Sequence, residues 1–322
     1  MNRKEFLALT GISALSIPLI SSCGSGNARK TLGGEARTAS KHVKNRTYAD
    51  TIGLQVFQFR EQLKTPDVAE LYKGFAAAGV KSIEFFNTPS LNVDVPIVKD
   101  CGMIPLATHF MPGYITGKWE RAARMNMKPP DGYLFENLVE DCEKNGIKYM
   151  GIANIMRPED AEVLDDFKRF ADKTNKCAEI SKSAGIQLYY HNHAFEFETM
   201  EGSTPYQAML SIFDTDLVKL EVDVFWSTVA GYEPIRFMND VSDWLLFLHM
   251  KDLKQMPEDG GTSIPPEYFI ELGTGVLDWK SILTEAKKLG VEYVIIDQDS
   301  TQMEDKMASL KMNCDYVRSL GI

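Results

Sequence analysis

The chain has no CxxC pair, no G-x-G-x-x-G after its first strand-like run, no excess of basic residues, and no apolar run long enough to span a bilayer. Each absence excludes something. The five cysteines, Cys23, Cys101, Cys142, Cys177 and Cys314, stand far apart; the last four read as buried thiols, with a disulfide left open. With 35 basic against 45 acidic residues the net charge is −10 and the pI about 5.1, so the basic stripe of a nucleic-acid surface is missing. A small neutral or polar molecule is the expected partner. The missing dinucleotide fingerprint argues against a doubly wound open sheet.

What is present begins with a segment that does not belong to the fold. Asn2-Arg3-Lys4 is basic, Phe6 to Ile20 is mostly apolar with small residues, and Ser21-Ser22-Cys23 closes it. That order is a secretion signal. Leu19-Ile20-Ser21-Ser22-Cys23 resembles a bacterial lipobox, and Arg3-Lys4-Glu5-Phe6-Leu7 resembles a twin-arginine signal with lysine at the second arginine. We therefore expect residues 1–22 to be an export signal and Cys23 to be the lipidated residue. Residues 23–50, rich in Gly, Ser, Ala, Arg and Lys, form a flexible tether, and residues 51–322 the catalytic domain. The mature protein is expected outside the cytoplasm, membrane-anchored in the periplasm or at the cell surface through its N-terminal lipid alone.

Beyond the tether, strand-like and helix-like runs alternate. Strands are expected at 52–59, 81–86, 103–109, 148–153, 186–196, 217–224, 245–250 and 293–297. Helices are expected from Thr65-Pro66-Asp67 to Ala78, at 133–144 and at 158–183, the first and last stopping at Gly79 and Gly185. Eight such units make a single (β/α)8 TIM barrel of the α/β class. A Pro- and Gly-rich stretch from Leu253 to Gly275 is long enough to help cover the barrel mouth.

Chemistry collects where those strands end. Of five histidines, His42 lies in the tether, whereas His109, His191, His193 and His249 all fall at expected strand C-termini. His191 and His193, at i and i+2, would share one face of a strand, with Glu196 close behind. Glu84, Asp223, Asp252, Asp297 and Asp299 add carboxylates. Singly, each has a bland role: a core histidine, a loop cap, or a wall residue such as Phe225 or Trp226. Converging in one cleft, such groups require protons or a cation, and a mixed imidazole and carboxylate shell suits Mn, Co or Zn better than Ca.

Five motifs carry a resemblance: Gly53-Leu54-Gln55-Val56-Phe57, Tyr190-His191-Asn192-His193-Ala194-Phe195-Glu196-Phe197, Leu220-Glu221-Val222-Asp223-Val224-Phe225-Trp226, His249-Met250-Lys251-Asp252 and Glu271-Leu272-Gly273-Thr274-Gly275-Val276-Leu277-Asp278-Trp279. In this order they resemble the xylose isomerase-like TIM-barrel superfamily, in its sugar phosphate isomerase/epimerase branch. The resemblance implies one divalent ion (Mn, Co, Zn or Mg) on His191, Asp223, His249 and Asp297; with histidine at 191 where many relatives have glutamate, the strand-five ligand is either His191 or else His193 or Glu196. It also implies a barrel that often pairs as a homo-oligomer.

Such a site removes a proton α to a sugar carbonyl. Expected roles are His193 or Glu196 as base, Lys251 as electrophilic helper or acid, His109 in orienting substrate, and Glu84, Phe225 and Trp226 in binding it. An exported chain favours unphosphorylated sugars, and the resemblance, whose exported members include enzymes acting on 3-keto-glycosides, implies a 3-keto-glycoside lyase expelling the C1 aglycone. The alternatives are an isomerase or epimerase of keto-sugars and, from another class, a sugar-binding lipoprotein without catalysis.

Overall fold

A computed structural model describes residues 46–86, 90–124, 126–155, 161–257 and 262–322. The expected signal at 1–22, the lipidation site Cys23 and most of the expected tether, with His42, lie outside the described residues.

Eight parallel strands close a barrel: β1 (Gly53–Gln55), β2 (Ser82–Phe86), β3 (Ile104–Phe110), β4 (Tyr149–Ile152), β5 (Gln187–His191), β6 (Val218–Asp223), β7 (Leu245–Met250) and β8 (Val294–Ile296). Each pairs with its neighbours in sequence, and β8 closes on β1 through Gly53↔Ile295 and Leu54↔Ile296. The (β/α)8 barrel expected from the alternating runs is the fold observed. A compact unit begins at Thr47, where Tyr48 is buried and its hydroxyl donates to the Val291 carbonyl at 3.0 Å.

Differences from expectation have local causes. β1 stops at Gln55 because the Gln55 side-chain oxygen accepts from the Phe57 amide at 3.0 Å and turns Val56–Phe59 into a 3₁₀ helix. The first long helix starts at Val68, not at Pro66, since the Thr65 hydroxyl donates backward to the Gln62 carbonyl at 2.7 Å and ends a preceding turn. It stops at Gly79, whose φ of 112° suits glycine. An unanticipated helix spans Leu91–Asp100 with Pro96 inside it, a residue that ordinarily speaks against helix.

The barrel interior is apolar below and polar above. Leu106, Ala107, Tyr189, Phe247 and Ile295 form one buried cluster. Gly151 on β4 makes room for it: a Cβ there would sit 2.3 Å from the Tyr189 ring and 2.6 Å from His109. The absent side chain is what admits both rings.

At the mouth, Asp252–Leu253 pairs antiparallel with Phe269–Ile270. Asp252 is the clasp of this ribbon, accepting from the amides of Leu253 and Gly273 at 2.8 Å, Gly275 at 3.2 Å and Leu277 at 3.3 Å. Its role is the loop cap, away from the site.

Candidate metal centre

Side chains on alternate strand residues face the same way, so Glu221 and Asp223, and Tyr189 and His191, enter the barrel in pairs, joined by His249 from β7 and by Lys251 and Asp297 just beyond β7 and β8. Their meeting point is the polar upper layer. Four of them, His191, Asp223, His249 and Asp297, each offer one ligand atom within 4.8 Å of one another, all buried.

The tautomers follow from the partners. His191 Nδ1 faces the Ala153 carbonyl at 2.9 Å, which can only accept, so Nδ1 carries the proton and Nε2 is turned to Asp223 Oδ2 at 3.2 Å. His249 Nε2 lies 2.8 Å from Glu84 Oε2 and 3.0 Å from Glu221 Oε1, while its Nδ1 faces Asp297 Oδ2 at 3.0 Å. Asp223 divides its oxygens: Oδ1 caps the helix Val224–Val229 through the Trp226 amide at 3.1 Å, and Oδ2 is left for the centre. Asn192 clamps the β5 end to β6, accepting from the Asp223 amide at 3.0 Å and donating to the Asp223 carbonyl at 3.3 Å.

Lys251 lies against the same carboxylates, with Nζ 2.5 Å from Asp297 Oδ2, 2.7 Å from Asp299 Oδ2 and 3.0 Å from Asp223 Oδ2. Burial opposes its charge, but these three acids outweigh burial and hold the ammonium well above its ordinary pKa. Asp223 and Asp297 are held low against burial, each chiefly by Lys251. Asp299 is pushed up, by burial first and by Asp297 and Asp223 beside it, despite Lys251. One lysine therefore leaves surplus negative charge among three carboxylates. Two imidazoles and two carboxylates next to that surplus suit a divalent cation of the Mn, Co, Zn or Mg kind.

Beneath lies a second buried group, Glu84, His109, Glu221 and His249. His109 Nε2 is 2.8 Å from Glu221 Oε2 and 3.3 Å from Glu84 Oε1. Glu84 also accepts from Gln55 at 2.8 Å and from the Tyr189 hydroxyl. Burial would lower both histidines, yet Glu84 and Glu221 raise His109 above its ordinary value and, with Asp297, raise His249 well above it. This layer fixes the orientation of His249 from behind, as outer partners do for metal-bound histidines.

The expected site residues part company here. His109, His191, His193 and Asp297 line the cleft, together with Gln55, Asn154 and Asp299. His193 lies beyond the end of β5, so strand alternation does not govern it; its ring packs 4.8 Å from His191 and 5.4 Å from Trp226. Burial, then the neighbouring His191 and Lys251, keep His193 well below its ordinary pKa, and among the described residues its Nδ1 has no hydrogen-bond partner. Glu196, expected as an alternative base, turns away: it accepts from the Tyr190 hydroxyl at 2.6 Å and from the His193 amide at 3.0 Å, which shapes the β5 loop. Glu84 is enclosed in the lower layer and is not presented to a substrate. Phe225 is fully buried, stacked on Phe269 at 4.7 Å, and is wall behind the cleft, whereas Trp226 is half-buried with its ring 5.7 Å from Lys251 Nζ. Glu221 and Tyr189 went unassigned in the sequence reading, although each stands two residues before a candidate ligand on the same strand face.

Residues 134–320 match the model of the xylose isomerase-like TIM barrel family. The chain belongs to that family. It spans about half the length of the curated relatives it matches, which are inosose dehydratases; that of Geobacillus kaustophilus is 24% identical over 162 residues, 47% of this chain and 51% of the relative. Among solved structures, a sugar phosphate isomerase/epimerase from Parabacteroides distasonis is similar with a TM-score of 0.67 and 22% identity, covering 82% of this chain and 96% of that one. The 3-keto-D-glucoside 4-epimerase of E. coli has a TM-score of 0.58 and 14% identity over 84% of this chain and 99% of its own. A family protein from Mycobacterium smegmatis in complex with magnesium has a TM-score of 0.62 and 14% identity, covering 86% and 98%. At these identities the structures show a shared fold.

Proposed function

We propose that the protein is a sugar-acting enzyme that removes a proton α to a ketone, and that its reaction is elimination of the C1 aglycone from a 3-keto-glycoside. The observation that carries this reading is His193: an imidazole on the cleft wall beside a buried set of cation-type ligands, held toward its neutral form by burial, with a buried Nδ1 that has no hydrogen-bond partner among the described residues. A general base needs that state and that place. The relatives support the chemistry, since a dehydratase also eliminates, and a 3-keto-D-glucoside is the substrate in the name of one structural neighbour.

His191, Asp223, His249 and Asp297 would hold one divalent cation, which supplies positive charge for the oxygen that becomes negative as the proton leaves. His193 takes the C2 proton. The C–H electron pair moves into the C2–C3 bond and the carbonyl pair onto the C3 oxygen. As the carbonyl re-forms, a C1–C2 double bond forms and the C1–O bond breaks; the aglycone oxygen leaves with that pair and takes a proton from solvent. Lys251, locked as an ammonium by three acids, acts as a fixed positive charge and does not cycle as an acid. His109, on the cleft wall, would orient the sugar, and Asn154, whose buried Oδ1 lacks a partner among the described residues, would accept from a sugar hydroxyl.

A phosphorylated sugar suits this cleft poorly. Among the described lining residues none is arginine or lysine, and Asp297 and Asp299 would repel a phosphate. The export signal and Cys23 lipidation proposed for the N-terminus point to the same preference.

A second reading, epimerisation of an unphosphorylated keto-sugar, draws on the fold shared with the E. coli 4-epimerase and uses the same base and cation. Incubation of the cation-loaded protein with a 3-keto-glucoside in D2O, followed by NMR at C1, C2 and C4, separates the two, exchange at C4 with the aglycone retained marking epimerisation there. The lyase releases the aglycone and yields an enone. Deuterium at C2 with the aglycone retained would refute the lyase in favour of simple reprotonation, and an unchanged spectrum would contradict both.

A further inference from the structure

The chemistry above uses one wall of the cleft and leaves the other without a role. That other wall is Phe57, Phe86, Met111 and Met127. Phe57 follows β1, Phe86 ends β2 and Met111 follows β3, so the wall rises from the arc that the closed strand order sets opposite β5–β7.

The wall is built rather than incidental. Phe57 and Phe86 meet edge to face at 4.8 Å, and the Arg60 guanidinium, 4.2 Å from the Phe57 ring centre, donates to the Phe57 carbonyl at 3.0 Å. Met111, buried with Ala122, backs Phe86 and Met127. Asn126 takes a φ of 56°, a left-handed conformation uncommon outside glycine, and the next amide, that of Met127, bonds to the Ala122 carbonyl at 2.8 Å. That turn sets Met127 against the cleft.

We propose that these four side chains form a subsite for an aromatic aglycone, so that the substrate is an aryl 3-keto-glycoside. The proposal rests on the lyase reading of the adjoining centre. Two phenyl rings offer a flat ring edge-to-face and stacking contacts, and two thioethers adapt to rings of differing outline. A second sugar in the same place would set its hydroxyls against four side chains that supply no hydrogen bond. An anionic group would meet no fixed cation among the described lining residues.

The test is calorimetric titration of the full, cation-loaded protein with 4-nitrophenyl β-glucoside and with methyl β-glucoside. Neither carries the ketone, so neither undergoes the α-proton chemistry. The aryl glycoside should bind at least tenfold more tightly. Phe57→Ala and Met127→Ala should each reduce that preference at least threefold while leaving the methyl glycoside's affinity unchanged, which also shows that the variants fold. Equal affinities in the unaltered protein, no aryl binding, or a preference that survives both substitutions together would overturn the subsite. The 3-keto forms separate this inference from the one beneath it. An aryl preference without aglycone release would leave the subsite standing and sink the lyase; release from methyl and aryl ketones at the same KM would do the reverse.

Discussion

The two arcs of the barrel mouth differ in kind. β5 to β8 and the residues just beyond them present His191, His193, Asp223, His249, Lys251, Asp297 and Asp299, whereas the ends of β1 to β3 present Phe57, Phe86 and Met111. The family match at 134–320 contains the first set and omits the second. Under the function proposed above, the matched arc would carry the reaction and the other arc would decide what it acts on. Glu84 reaches across from β2 as part of the buried layer that holds His249, and His109 from β3 bonds to that layer while also lining the cleft.

The sharpest way to break that comparison is Asp223→Asn. Asparagine keeps the helix cap and removes one charge, so folding should survive while turnover falls about a thousandfold, in line with loss of a main electrostatic stabiliser. A fall below about tenfold would mean that the polar arc is not the reaction centre. Next is Glu221→Gln, which alters the support behind His249 and the contact with His109. Cation affinity should drop about 10- to 100-fold, the range for outer partners of metal ligands, with the overall fold kept; unchanged affinity would make the lower layer mere filling.

The pH dependence tests His193. Its pKa is lowered in the folded protein, so the base form persists as pH falls through the ordinary histidine value of 6.5, and kcat/KM should stay level from about pH 8 to pH 6. An acid limb centred near 6.5 would place the base elsewhere. The smallest effect on turnover should come from Glu196→Gln, which weakens the β5 loop's hydrogen bonds: stability should fall by about 1–3 kcal/mol in chemical denaturation while kcat changes only a few-fold. A collapse of kcat with intact stability would restore Glu196 as a base.

How much of this was legible in the chain depends on whether strand geometry governs the residue. The eight hydrophobic runs and the polar residues at their ends were readable because a buried parallel strand is apolar until it leaves the barrel. The same period of two predicts Glu221 from Asp223 and Tyr189 from His191, signals present but easily passed over beside stronger motifs. Beyond a strand's last residue the alternation stops. His193, Glu196 and Phe225 follow β5 and β6, and only one of the three lines the cleft, because the loop's own hydrogen bonds and stacking set their directions. The Leu91–Asp100 helix was hidden by Pro96, and the apolar wall by its scatter over β2, a 3₁₀ helix and two separate loop positions.

The measurement that bears most directly on the account is a calorimetric titration of the metal-free protein with a divalent cation such as Mn, Co or Zn, in the unaltered chain and in His249→Ala. The account predicts one equivalent bound by the unaltered protein and none in the variant. No binding in either, or an equal affinity in both, would contradict a metal centre at His191, Asp223, His249 and Asp297 and leave that arc a network of protons alone.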